Sequence, residues 1–170
     1  GSGYVYAVDA DDGTQKWKYK IGESVQSSPA VKDGTVYIGS FDGNLYALDA
    51  QSGTEHWRFQ AKSFVNSTPA VADDTVYVGR HGANLYAINT ETGEQQWTFE
   101  TNGSIDSSPA IANGTVYFGS DNIFAVDAYD GAEYWRYQTS DGVFSSPGVT
   151  EDTLYVGGGH GLSGDGHIYG

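Results

Sequence analysis

A tryptophan recurs along this chain at an almost constant interval, and that recurrence limits the possible folds more than any other feature. Trp17, Trp57, Trp97 and Trp135 are separated by 40, 40 and 38 residues. A proline follows each of them by 12 residues (Pro29, Pro69, Pro109, Pro147), and a glycine precedes each by four (Gly13, Gly53, Gly93, Gly131). A period of this length marks a supersecondary unit too small to enclose its own core, so neighbouring copies must supply it. The two residues missing from the last interval fall between Gly119 and Ile123, where earlier copies carry a turn. The pattern is shortened there rather than broken.

Each copy holds four short runs of β-forming residues, at 67–71, 75–79, 84–88 and 95–99 in the second full copy. Even spacing of this kind is the mark of an all-β repeat. Asp12-Gly13, Asp33-Gly34, Asp42-Gly43 and Asn113-Gly114 provide the positive φ that tight hairpins require. Each copy is therefore expected to be a four-stranded antiparallel meander. Its middle runs are apolar at successive positions, as in Val36-Tyr37-Ile38 and Leu45-Tyr46-Ala47-Leu48. Such strands are covered on both faces, so the meanders must stack face to face. Stacked radially, they make an all-β fold: a β-propeller of four-stranded antiparallel blades, four repeats in one domain over residues 1–170.

Two further expectations concern packing and edges. Ala7, Ala47, Ala87 and Ala125, with Gly39, Gly79, Gly119 and Gly157, should leave room for the tryptophan of the adjacent copy. The Pro-bearing run lacks a donor and belongs at an inner edge lining the channel, while the charged Trp run, as in Lys16-Trp17-Lys18, belongs outermost. The chain begins in the third strand of one copy and ends in the third strand of another. Two segments then compete for one position, which fits half of an eight-bladed ring, or a fragment of a longer propeller, better than a ring closed at four.

Charge narrows the partners. Asp and Glu number 22 against 8 Lys and Arg, a net charge of −14. That potential repels nucleic acid and anionic membrane. The Asp-rich, Lys-poor balance predicts a halophilic protein whose self-repulsion is screened by dense counter-ions. The chain has no Cys, which excludes a disulfide framework and a cysteine nucleophile. No apolar run approaches the length of a bilayer span, so no membrane insertion is expected.

Candidate sites lie where one copy departs from the others. The column Gln26, Asn66, Asp106 and Phe144 differs in chemistry from copy to copy beside the hydroxyl pairs Ser27-Ser28, Ser67-Thr68, Ser107-Ser108 and Ser145-Ser146. It is the expected ligand-binding column at the channel mouth, joined by Arg80 and His81, which replace Ser40 and Phe41 in a turn. The hydroxyls serve equally well to satisfy the inner-edge backbone. A Gly-rich insertion carries His160, Asp165 and His167, which could face a metal but also suits a plain loop. Asp9, Asp49, Asn89 and Asp127 form a column whose short acceptors should tie a turn to its own backbone; Asp9-Ala10-Asp11-Asp12-Gly13 lacks the closing acid of a calcium loop.

The recurring segments Tyr-Ala-Val-Asp-Ala-Asp-Asp-Gly-Thr-Gln-Lys-Trp at 6–17 and Tyr-Ala-Leu-Asp-Ala-Gln-Ser-Gly-Thr-Glu-His-Trp at 46–57, with their counterparts at 86–97 and 124–135, closely resemble the tryptophan-docking repeat of the pyrroloquinoline-quinone (PQQ)-like, quinoprotein-type propellers. The resemblance covers essentially the whole chain. It implies a fold shared by quinoprotein dehydrogenases, an outer-membrane assembly lipoprotein and sensor ectodomains, usually with seven or eight blades. It assigns Trp17, Trp57, Trp97 and Trp135 to structural docking. A PQQ-dependent dehydrogenase would need a further Trp under the quinone, calcium ligands and an Asp base. All four Trp are consumed by docking, and Asp106 has no identifiable partner in the sequence. The expectation is therefore a non-catalytic binding or scaffolding module without cofactor, of extracytoplasmic location, acting on a protein partner or a second copy of the chain. Part of a PQQ- and calcium-dependent dehydrogenase is the alternative, and a sensor ectodomain the second alternative.

Overall fold

The computed structural model describes residues 3–159 and the backbone of 167–169. All of its elements are strands. A two-stranded sheet, β1 (Gly3–Val8) and β2 (Gln15–Ile21), is followed by three complete blades. The first is β3 (Ala30–Lys32), β4 (Thr35–Gly39), β5 (Asn44–Asp49) and β6 (Glu55–Gln60). The second is β7 (Ala70–Ala72), β8 (Thr75–Gly79), β9 (Asn84–Asn89) and β10 (Gln95–Glu100). The third is β11 (Ala110–Ala112), β12 (Thr115–Gly119), β13 (Ile123–Asp127) and β14 (Glu133–Tyr137). A three-stranded sheet, β15 (Gly148–Val149), β16 (Leu154–Gly158) and β17 (His167–Tyr169), ends the described chain.

Each complete blade is a consecutive antiparallel meander in which only neighbouring strands pair. Register repeats from blade to blade: Gly39 opposes Leu45, Gly79 opposes Leu85, and Gly119 opposes Ile123. The first strands β3, β7, β11 and β15 lie beside one another in succession, which places them around a common axis. The fold is a partial propeller of four blades. At its far end β16 pairs with β17, so of the two segments that compete for that place it is the C-terminal one that holds it.

The first strands are shorter than their β-forming runs suggest. The run at 67–71 yields a strand only from Ala70, because Pro69 has no N–H to give and the residues before it bond elsewhere. Ser67 Oγ donates to Gly79 O at 3.0 Å and accepts from Gly79 N at 2.9 Å. Ser107 and Ser145 hold Gly119 and Gly157 in the same way. Four of the eight inner hydroxyls are thus spent within a blade, since Ser27 also accepts from Gly39 N. A further two join blades: Thr68 N donates to Ser108 Oγ at 2.8 Å and Ser108 N to Ser146 Oγ at 3.1 Å.

The core lies between blades. Tyr77, Leu85 and Trp97 of the second blade pack with Val116, Phe118 and Phe124 of the third, and Tyr37, Leu45 and Ala47 meet Val76, Val78 and Ile88 across the preceding interface. The seat of the tryptophans differs from the one expected of them. The space over Gly39, Gly79 and Gly119 is taken by Val65, Ile105 and Val143, whose atoms would stand within 2.5 Å of an added Cβ. These are residues of the segments linking one blade to the next. Ala47 faces Trp57 within its own sheet.

Candidate functional site

Two rims face opposite ways and are built by different rules. On one, the turns between third and fourth strands repeat almost unchanged. Asp49 Oδ1 accepts the N–H of Gln51 at 3.0 Å, Asn89 Oδ1 those of Glu91 and Thr92, and Asp127 Oδ1 that of Tyr129 at 2.7 Å. These bonds hold the Asp9, Asp49 and Asp127 carboxyls below the usual carboxylate range, with Lys16, the Ser52 hydroxyl and the Tyr134 hydroxyl respectively as the largest causes. The turns close on Gly53, Gly93 and Gly131 at positive φ.

Those glycines also receive the tryptophans. An added Cβ at Gly53, Gly93 or Gly131 would lie 2.6 or 2.7 Å from the indole of Trp17, Trp57 or Trp97, each belonging to the preceding sheet. The indole N–H then donates to the turn: Trp17 to Ala50 O at 2.9 Å, Trp57 to Thr90 O at 2.9 Å and Trp97 to Ala128 O at 3.1 Å. Face contact and hydrogen bond together weld each blade to the next. Trp135 alone is unseated, 43% exposed where Trp17 and Trp97 are 9% and 8%.

The other rim is made by the second-to-third-strand turns and the segments linking blades, and here three of the sequence-selected residues meet. Asn66 Nδ2 donates to Asp106 Oδ1 at 2.9 Å, joining two successive linkers. His81 Nδ1 stands 3.3 Å from the same oxygen. Asp106, partnerless in the sequence, is therefore the hub of the group. Asn66 Oδ1 is buried with no hydrogen-bond partner among the described residues. The His81 ring stacks on Phe64 at 6.3 Å, and Phe64 on Phe41 at 4.9 Å with planes 16° apart. Phe64 is 48% exposed, so the row presents an apolar shelf beside the Asp106 carboxylate.

The remaining selected residues stand apart from this cluster. Arg80 turns to its own hairpin, where Nε donates to Asn84 Oδ1 at 3.0 Å. Gln26 is exposed on the first linker. Phe144 is exposed on the fourth, its ring against Gly142. His160 and Asp165 lie outside the described residues, and of His167 only the backbone place in β17 is described. Phe41 and Phe64 were missed in the column reading. The signal existed, since Ser24, Phe64 and Ser104 vary in register as Gln26, Asn66 and Asp106 do.

A cleft of about 640 Å³ opens on the turn rim beside the docked Trp97, between the second and third blades. Asp73, Asp74, Asp127 and Asp130 line it. Among the described residues no group of three or more His, Cys, Asp or Glu could hold a metal ion. No helix of the described residues is long and apolar enough to cross a membrane.

Radial four-stranded blades, each joined to the next by an indole on a turn glycine, define a propeller of the PQQ-like repeat class. The family profile described as outer membrane protein assembly factor BamB matches residues 1–121 and again 101–170, and the chain belongs to that family. BamB from Moraxella catarrhalis superposes with a TM-score of 0.80 at 22% identity, over 98% of this chain and 55% of that one. A quinohemoprotein alcohol dehydrogenase from Comamonas testosteroni superposes at 0.72 and 20% identity, over 80% of this chain and 29% of that one. The computationally designed protein Ika4 superposes at 0.75 and 16% identity, over 87% of this chain and 91% of that one. This chain thus spans about half of the natural BamB structure it matches. No curated protein matches it by sequence.

The described residues do not fit a PQQ and calcium site. Trp17, Trp57 and Trp97 have one indole face against a glycine and the N–H engaged, and Trp135 sits on an outermost strand rather than at the channel. Asp106 is joined by an amide and an imidazole, not by further carboxylates.

Proposed function

We propose that this chain is a non-catalytic propeller module that binds or scaffolds a protein partner through its linker rim. The observation that carries the reading is the Asn66–Asp106–His81 group, which unites two linkers and a turn beside the exposed Phe64. A partly exposed carboxylate next to an aromatic shelf suits a partner offering a guanidinium or ammonium on an apolar flank. The family's description as an assembly factor supports a role in joining proteins at the cell envelope, hence an extracytoplasmic location. The net charge of −14 further suits a partner and medium rich in cations, as in a halophile.

A photo-crosslinking residue placed at Phe64 in the native cell tests this. It should give one adduct of defined mass that Asp106→Ala abolishes, while the same residue at Tyr129 on the opposite rim gives none. Equal adducts from both rims would refute the mouth as the site. PQQ with calcium and an electron-accepting dye should produce no alcohol-dependent reduction; stoichiometric PQQ binding with a calcium requirement would favour the dehydrogenase reading instead.

A further inference from the structure

The cleft beside the docked Trp97 has a counterpart one blade earlier, and the two are not alike. The dock itself is the same in both, Trp57 on Thr90 O and Trp97 on Ala128 O. The residues around it differ. Between the first and second blades, Lys32 stands opposite Thr35 at the end of β3 and reaches across to donate from Nζ to Asp73 O. Between the second and third, Ala72 holds the same register opposite Thr75 and has no ammonium to send across. Further columns change in the same sense. Gly34 gives way to Asp74, Asn89 to Asp127 and Thr92 to Asp130, while Thr90 shrinks to Ala128. The second gap has thus lost its cation, gained carboxylates and stayed open, at about 640 Å³. Clefts of roughly 300–1,000 Å³ enclose small molecules. The floor here is aromatic and held in place, because the Tyr77 hydroxyl and the Trp97 N–H both donate to Ala128 O, at 2.9 and 3.1 Å. Tyr129 stands exposed at the mouth. Burial first, and then the fields of Asp73, Asp74 and Asp127, raise the Tyr77 phenol above its ordinary value, so three carboxylates converge on this floor. Among the described residues none of the four lining carboxylates is in an ion pair.

We infer that this cleft binds a small organic polycation, an alkyl chain bearing two or more primary ammonium groups, in the place that Lys32 bridges from within the chain one blade earlier. Lys32 supplies the precedent for the chemistry, since it is a primary ammonium on a half-buried aliphatic stem that ties two blades through a turn oxygen. A free ligand of that class lays its stem on the aromatic floor and gives its ammonium groups to Asp73, Asp74 and Asp130 at the mouth. Charge and shape are both complementary to it. A metal ion is not, because no three acidic side chains among the described residues come close enough together to hold one. The site goes beyond the scaffolding reading and does not depend on it. It lies on the opposite rim from Asp106, and a small ligand leaves Tyr129 without a protein adduct.

The test is titration calorimetry of the 170-residue chain with spermidine, at low and at moderate ionic strength. One saturable site should appear and weaken as salt rises. In proton–nitrogen NMR spectra the Trp97 indole N–H should shift on binding while that of Trp57, in the equivalent dock, stays in place. Ala72→Lys repeats Lys32 at the same register and should lower the affinity about tenfold or more by filling the cleft with the chain's own ammonium. Asp73→Asn should lower it about fivefold, and Asn tolerates the φ of +48° there. Asp33→Asn, the same change of charge at the same φ one blade earlier, is the control and should alter the affinity less than about twofold. Absence of saturable binding overturns the inference, as do many weak equivalent sites of the kind a diffuse charge of −14 would give. So do indifference to Ala72→Lys, equal losses from Asp33→Asn and Asp73→Asn, or displacement of spermidine by an equal concentration of magnesium. Asp106→Ala should leave spermidine binding unchanged, so failure of the linker-rim site and failure of this cleft are read separately.

Discussion

The turn rim and the linker rim are made from the same repeat, yet one has been kept alike and the other allowed to diverge. On the turn rim Asp49, Asn89 and Asp127 do one job, and Gly53, Gly93 and Gly131 receive one kind of side chain. On the linker rim Asn66 and Asp106 occupy the same column and bond to each other. The difference teaches where stability and specificity are held. A position that touches the next blade is constrained by every neighbour at once, while a position that touches solvent is free to become a site.

Substitutions at blade contacts should therefore cost far more stability than substitutions on the linker rim. The largest effect is expected at Gly93→Val, which combines a strained φ of +71° with atoms of Trp57 at 2.7 Å. A loss of about 4 kcal/mol in urea unfolding follows from backbone strain and overpacking together. Trp57→Ala should cost about 3 kcal/mol, through lost contact and the orphaned Thr90 carbonyl, whereas Trp135→Ala should cost less than about 1 kcal/mol. Equal losses at the two tryptophans would break the comparison. Ser67→Ala leaves a buried Gly79 N–H and carbonyl without their partner and should cost about 2 kcal/mol. On the linker rim, His81→Ala should change stability by less than about 0.5 kcal/mol while removing the Phe64 adduct.

The smallest effect per group is a pH dependence confined to the turn rim. The carboxyls of Asp9, Asp49 and Asp127 are lowered in the folded chain. Their stabilisation is complete above the ordinary value of 3.8 and is lost as pH falls through the lower folded values. Thermal melts should therefore weaken below about pH 4. Asp127→Asn should fall less steeply there than the parent, and a parallel fall would remove Asp127 from the account.

Much of the blade was legible in the sequence because it depends on period and on turn chemistry. Apolar pairs such as Val36-Tyr37 and Leu45-Tyr46 locate the two middle strands, and Pro69 locates the edge. The seat of the tryptophan was not legible from residue size. Gly39 and Gly53 are equally small, and only the path of the linkers decides that Val65 fills one while Trp17 covers the other. The variable column pointed to Asn66 and Asp106 but could not show that His81, 25 residues from Asp106, closes on the same oxygen. Nor could it show that Arg80 points into its own hairpin. Residue chemistry narrows a site to candidates, and the crossing of separate loops selects among them.

The weld of indole to turn glycine runs in one direction, from each repeat to the one that follows. Its two halves sit at fixed places in the same forty-residue unit, as Gly53 and Trp57 show. A duplicated stretch of gene cut anywhere within that unit therefore arrives with a socket for the copy before it and a plug for the copy after. Growth by one blade requires no newly invented surface. Lineages carrying such a unit can lengthen or shorten by whole copies, and selection is left to act on the linkers.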